Sequence, residues 1–274
     1  EIPLRLVGSE MCIRDRMKLI KHHYTLFLNI AVSISAACLT YAVCLYMAEL
    51  LLHVSAVHEA GYICSMLFII PGFPFITSGI DLAKLDLRSG LERLTYSIII
   101  VLVATMFAWI MALLLKLQPQ DFVALHLGSM MHLVLRLIAS FCGVFGFSIM
   151  FNSSVYIAAT AACIGAVANT LRLELVDYTG MPSAAAAFIG ALTAGLLASI
   201  IKRNHGYPRI SLTVPSIVIM VPGLYLYRAI YNFGIMSLTE AVLWFAAAIM
   251  IIVSLPLGLI FARILTDRTF RYCS

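Results

Sequence analysis

Three carboxylates and a few polar side chains interrupt a sequence that is otherwise strongly apolar, and their types and spacing could do chemistry. Asp81, Asp86 and Glu92 follow directly on an apolar run. A carboxylate whose pKa can be moved by burial can carry a coupled proton, and Asp81 stands closest to the run. For each of the three, a solvated charge at a membrane surface is the plain alternative. Thr77, Ser78, Tyr225 and Asn169 bring hydroxyls and an amide into apolar stretches, where such groups either bond helix to helix or line a polar path. Arg136, near the start of an apolar span, either reaches to the membrane surface or binds an anion.

The backbone contributes as much as the side chains. Pro71-Gly72 and Pro222-Gly223 each cut an apolar run of spanning length. Proline removes a donor and clashes with the preceding turn, so carbonyls before the break and N–H groups after it lose their helical partners. Hydrocarbon tolerates such backbone only where protein or a wet cavity supplies partners. The freed groups suit a small solute, N–H groups facing a carboxylate and carbonyls facing an ammonium or hydroxyl.

The two interruptions are near-copies. Residues 65–75 read SMLFIIPGFPF and residues 216–226 read SIVIMVPGLYL, at a constant offset, since 216 − 65 and 222 − 71 both equal 151. Paired, interrupted hydrophobic segments at matching places in two halves are the sequence mark of a transporter's binding site. Two unrelated proline kinks are the bland alternative.

The elements that must position these groups are membrane helices. The chain has 274 residues, 62% of them hydrophobic and 11% charged, with a mean hydropathy of +1.02. That composition cannot clothe a soluble domain in polar surface and predicts an all-α integral membrane protein. About eight spans are expected, at 24–51, 60–80, 96–117, 130–151, 155–171, 183–201, 210–233 and 239–265. Leucines at 82, 85, 87, 91 and 94 among charges predict an amphipathic interfacial segment over 81–94, ahead of the third span. The seven cysteines contain no CxxC pair, so neither a disulfide framework nor a zinc site is implied. His53, His58 and Glu59 could be taken for metal ligands, but a five-residue spacing puts the histidines on different helix faces. No metal, no cofactor and no nucleic-acid partner is expected, and the absence of HExxH or a similar array argues against an enzyme. Residues 10–16 resemble the in-frame translation of a transposon-end sequencing adapter, so 1–16 are set aside as a probable non-native tail.

Charge orients the spans. With the first span starting inside, Lys18, Lys21, Lys84, Arg88, Arg93, Lys202, Arg203, Arg209, Arg263, Arg268 and Arg271 fall on one side, and only Lys116, Arg136, Arg172 and Arg228 near the other. The richer side is the cytoplasm, which places both ends there. Spans one, two and three then pair with six, seven and eight; five spans separate each pair, an odd number, which inverts the partner. A weaker echo, Ser89 and Glu92 against Ser237 and Glu240, extends the pairing at an offset of 148 if three residues are deleted after the second Pro-Gly. The expectation is an inverted repeat of five-helix units, the first lacking its two leading spans. Residues 17–120 then form the end of a first half and 121–274 a second half.

The run IPGFPFITSGID at 70–81, followed by Asp86, Ser89-Gly90-Leu91 and Arg93, resembles the bacterial threonine/serine exporter family. So do Gly146-Phe147, Phe151-Asn152, Gly165-Ala166, Arg172, Tyr207-Pro208, Val221-Pro222-Gly223 and Tyr227-Arg228. The resemblance runs from Met17 to about residue 268. It implies a ten-helix secondary transporter of the inner membrane, sometimes split into two subunits, that exports small amino acids on the proton gradient. Some split members are associated instead with succinate export, and a noncatalytic assembly subunit is a further alternative. On this reading Pro71, Gly72, Pro222 and Gly223 form the substrate scaffold and Thr77, Ser78, Asn169 and Tyr225 its polar lining. Asp81, then Asp86 and Glu92, carry the proton. The expected partners are an amino acid, protons, the bilayer, and a second copy or a partner half-subunit.

Overall fold

A computed structural model describes residues 26–52, 60–67, 69–115, 128–205 and 207–267, and among these every regular element is a helix. The 1–16 tail, the 53–59 link with its two histidines, Lys18, Lys21, Lys116, Arg268 and Arg271 lie outside the described residues. In chain order the helices are α1 (Leu26–Leu52), α2 (Ala60–Leu67), α3 (Gly72–Ala83), α4 (Leu87–Leu114) and α5 (Ser129–Met150). They continue with α6 (Val155–Thr179), α7 (Ser183–His205), α8 (Arg209–Val218), α9 (Gly223–Gly234) and α10 (Leu238–Thr266).

Six of them, α1, α4, α5, α6, α7 and α10, are long and apolar enough to cross a membrane. The pair α8 and α9 makes a seventh span, bent by 42° at its break. A chain turning back on itself needs something near a reversal, so 42° marks one interrupted span rather than a hairpin. The second expected span, 60–80, is divided between the short helices α2 and α3. Large apolar side chains such as Leu50, Leu114, Ile138, Leu243 and Met250 cover the outside, as lipid rather than water would require.

The 151-residue register governs the fold in detail. Helix α2 ends at Leu67 and α8 at Val218; α3 runs Gly72–Ala83 and α9 Gly223–Gly234; α4 opens at Leu87 and α10 at Leu238. Even the turn that closes each short helix recurs, with Leu85 at φ 62° and Met236 at φ 63°, both in the left-handed region. Asp86 donates its amide to Asp81 at 3.1 Å, and Ser237 donates its amide to Asn232 at 2.9 Å. The packing follows the same exchange: α3 against α4 matches α9 against α10, α3 against α8 matches α9 against α2, and α3 against α10 matches α9 against α4. One buried cluster contains Ile70, Phe75, Val101 and Leu226 with Val221 and Ile252 packed on it. Its members fall into the 151-related pairs Ile70/Val221, Phe75/Leu226 and Val101/Ile252, so it lies where the two units meet.

Three expectations are corrected. The echo at an offset of 148 is not the register, because 151 persists through Gly90 and Ala241, whose amides donate to Asp86 and Ser237 at 3.0 Å each. No separate interfacial helix covers 81–94. Asp81 to Ala83 end α3, the left-handed Leu85 turns the chain, and the leucines from 87 onward are the first turns of α4, which runs unbroken to Leu114. The fifth span does not stop at residue 171. Helix α6 continues two turns to Thr179 and ends at Gly180 in the left-handed conformation. Its last turns are held by Arg136 on α5, which donates to Glu174 at 2.9 Å and to Asp177. Arg136 is thus committed to two carboxylates.

Alanine and glycine let α6, α7, α8 and α10 approach closely. Ala158, Ala161, Ala162, Ala168, Ala191 and Ala194 are fully buried. A Cβ on Gly165 would stand 2.8 Å from the Ser216 carbonyl oxygen, so only glycine permits this approach of α6 to α8. The Ser216 hydroxyl donates back to the Ala161 carbonyl at 3.0 Å. Helix α6 is thereby locked against the helical stretch that leads into the second break.

Candidate functional site

Each break is a short, well-defined turn. Gly72 donates to the Ile70 carbonyl at 2.8 Å and Gly223 to the Val221 carbonyl at 2.9 Å, closing a three-residue turn around the proline. The prolines have φ, ψ of −77°, 69° and −82°, 53°, the geometry of an inverse γ-turn. Upstream, Ile69 donates to Met66 at 3.0 Å and Met220 to Ile217 at 2.9 Å. Helix α8 holds 10 residues before its break, which puts the break about 15 Å along the span at 1.5 Å per residue.

The breaks also meet. A Cβ on Gly72 would lie 3.2 Å from Val218 Cγ1, 3.3 Å from Val221 Cγ2 and 3.7 Å from the Val218 carbonyl oxygen. Pro71, Gly72, Pro222 and Gly223 are all buried. The two interruptions form one central feature, and neither faces lipid alone.

A cation reaches this centre from α6. Arg172 Nη1 donates to the Met220 carbonyl at 3.2 Å, inside the second break. Arg172 is partly buried, and no acidic side chain pairs with it among the described residues. A guanidinium has five donors in a planar fork. One of them is spent on Met220, and the remainder can meet a carboxylate. One turn earlier on the same face stands Asn169, whose Nδ2 donates to Ser140 Oγ at 2.8 Å, while its buried Oδ1 has no partner among the described residues. Tyr225 stands three residues beyond Pro222 in the first turn of α9. Its ring packs edge-on to Trp244 at 5.3 Å, and Arg228 lies 4.6 Å above Trp244. Asn169, Arg172, Met220 and Tyr225 thus gather donors, an acceptor and a cation around the second break.

The other expected residues divide. The Thr77 hydroxyl donates to the carbonyls of Phe73 and Pro74 at 3.1 and 3.3 Å, and Ser78 donates to that of Phe75 at 2.9 Å. Both are buried and bonded within their own helix. Asp81 accepts from Arg93 Nη1 at 2.7 Å in a partly buried ion pair between α3 and α4. In register, Asp81 corresponds to Asn232, whose amide donates to the Arg228 carbonyl at 2.9 Å. Asp86 is exposed and caps α4, accepting from the Ser89 amide at 3.4 Å. Glu92 is exposed and pairs with Arg88 one turn away at 3.2 Å. Asp81 is therefore the one of the three carboxylates that links two helices.

Arg172 is the functional candidate the sequence reading missed, having been counted among cations near the far membrane surface. The available signal was its three-residue spacing from Asn169, which places both on one helix face. Two cavities are lined by the described residues. One, of about 530 Å³, is lined only by apolar residues, among them the 151-related pairs Phe75/Leu226, Ile98/Ile249 and Leu102/Val253. It offers no hydrogen-bond partner to a polar solute. The second, of about 220 Å³, lies between α3, α8 and α10 and is lined by Lys84, Arg209, Arg263, Thr213 and Asp267 together with apolar groups. No group of three or more histidine, cysteine, aspartate or glutamate side chains suited to a metal occurs among the described residues.

Neither the curated proteins nor the solved structures provide a match to this chain. Family models do. The model described as "Threonine/Serine exporter, ThrE" matches residues 136–265, and a second threonine/serine exporter model matches residues 10–116. The two matches fall on the two units that the 151 register relates and include both breaks, Arg172 and Asp81. With both units matched in order along one helical membrane protein, the chain belongs to the threonine/serine exporter family.

Proposed function

We propose that this chain is a proton-coupled exporter of small amino acids such as threonine and serine across the bacterial cytoplasmic membrane, with both ends in the cytoplasm. The two Pro-Gly breaks belong to oppositely directed units. The observation that carries this reading is the contact of Gly72 with Val218 and Val221, which joins the two interruptions into one centre inside the membrane.

A zwitterion leaving water needs partners for both its charges. Arg172, with donors beyond the one given to Met220, takes the carboxylate. The ammonium and the side-chain hydroxyl go to Asn169 Oδ1 and to backbone carbonyls at the second break. Pro71, Gly72, Pro222 and Gly223 hold the backbone in this arrangement. Thr77 and Ser78 brace α3, and Tyr225 closes the site beside Arg172. Asp81 exchanges its proton as its pairing with Arg93 is made and broken. Asp86 and Glu92 sit on the exposed approach to it.

Purified full chain in proteoliposomes, given an imposed pH gradient and labelled threonine, serine or succinate, tests the assignment. Saturable, gradient-stimulated flux of threonine and serine is the expected result. Flux of succinate alone would make it a dicarboxylate exporter. Inertness toward all three by a folded, correctly inserted protein would leave it an assembly subunit.

A further inference from the structure

We propose that the pocket between α3, α8 and α10 is an anion-binding vestibule that receives the carboxylate of a small solute on Lys84, Arg209 and Arg263. The pocket, about 220 Å³, brings three cations together with one carboxylate, Asp267, over an apolar floor of Ile80, Ile210, Leu259 and Ile260. Arg263 Nε stands 3.8 Å from Asp267. Arg209 is held by neutral acceptors, Thr266 Oγ1 at 3.1 Å and the Gly195 carbonyl at 3.4 Å, which fix its position without cancelling its charge. Three positive charges against one negative, with low-dielectric walls on one side, focus a field that attracts small anions.

The repeat register gives this pocket a counterpart in the other unit, where the equivalents of Arg209, Ile210 and Asp267 lie outside the described residues. The positions 151 residues away from Ile80, Thr213, Leu259, Ile260 and Arg263 are Tyr231, Tyr62, Ala108, Trp109 and Ala112. Among the described equivalents, aromatic rings take up the space. The Tyr62 hydroxyl donates to the Ala108 carbonyl at 2.6 Å, joining the equivalents of Thr213 and Leu259. Tyr41, Tyr62, Tyr227 and Tyr231 follow ring on ring at centroid distances of 6.4, 6.5 and 6.3 Å. Trp109 occupies the place a side chain on Gly234 would need. Among the described residues, equivalent walls thus line an open cationic pocket in one unit and pack as an aromatic cluster in the other. The vestibule's place on the solute path rests on the exporter reading, whereas its affinity for anions does not.

Ile210→Cys puts a thiol at the pocket rim, where residue 210 is half exposed. The full-length variant in phosphatidylcholine nanodiscs is treated with a negatively charged and a positively charged methanethiosulfonate reagent, and labelling is read at the residue-210 peptide by mass spectrometry. The expected result is at least tenfold faster labelling by the anionic reagent, slowed by succinate or threonine. The ratio should fall severalfold when Lys84→Gln is added, a change at an exposed residue that spares the fold. Equal rates for the two reagents, or a ratio indifferent to Lys84→Gln, would overturn the anion site, whatever the transport assays give. Protection by added phosphatidylglycerol but by neither solute would assign the cations to a lipid headgroup and overturn their part in solute access.

Discussion

Arg172 on α6 donates to the main-chain carbonyl of Met220 at 3.2 Å, which ties a guanidinium to the interruption of a neighbouring helix. A positive charge at that level of a membrane protein is costly unless something compensates it. One carbonyl is a partial answer, and on the proposed function a substrate carboxylate completes it.

Replacing Arg172 with Gln should therefore weaken substrate binding while leaving a folded protein. A hydrogen bond to a charged group is worth about 1.5–3 kcal/mol, so the dissociation constant should rise about 10- to 100-fold. Lys in its place should recover only part of the loss, because an ammonium cannot bridge a carbonyl and a carboxylate with the same planar fork. Titration of labelled threonine against nanodisc-embedded variants measures this directly.

Asp81→Asn copies the residue that the other unit carries at the equivalent position, Asn232. Loss of the Arg93 pair should cost about 1.5–3 kcal/mol of stability. If Asp81 carries the proton, threonine exchange down its own gradient should persist while stimulation by a pH gradient disappears. Parallel loss of both activities would reduce the ion pair to a structural role.

Pro222→Ala restores the missing N–H, which can then bond to the Val218 carbonyl and continue the helix. Hydrogen exchange at residues 219–223 should slow by an order of magnitude or more, and the 42° bend should lessen. Unchanged exchange would mean that the interruption is imposed by the surrounding helices and not by the proline.

Two glycines offer a matched stability test. A side chain on Gly165 meets Val144 at 2.6 Å and the Ser216 carbonyl at 2.8 Å, whereas Gly146 has nothing within 4 Å. Gly165→Val should destabilise the folded state by about 1–3 kcal/mol through overpacking. Gly146→Ala should be neutral or stabilise by up to about 1 kcal/mol, since alanine is the better helix former. Thermal unfolding in one detergent compares them.

Much of this fold was legible because a bilayer permits few solutions. Runs of apolar residues long enough to span read as helices, and two near-copies of a Pro-Gly interruption at one offset pointed to equivalent places. The register was visible at the breaks but lost beyond them. Ser89 and Glu92 resemble Ser237 and Glu240 by type, while the true equivalents, Asp86 and Ser237, share only backbone geometry. The leucines over 82–94 carry the pattern of an interfacial helix, and only the left-handed turn at Leu85 divides them between α3 and α4. Pro71, Pro222 and their glycines were identified from chain chemistry alone. Arg172 was not, because its neighbours Glu174 and Asp177 made it look like surface charge; those two carboxylates are taken by Arg136 instead.

The central claim is that the two touching interruptions act as one transport site. Labelled threonine exchange in proteoliposomes, wild type against Pro71→Ala/Pro222→Ala at matched insertion and folding, is its most direct test. Saturable exchange by the wild type and a fall of at least tenfold in the double variant are expected. Equal exchange by both, or a folded wild type that moves neither threonine nor serine, would contradict it.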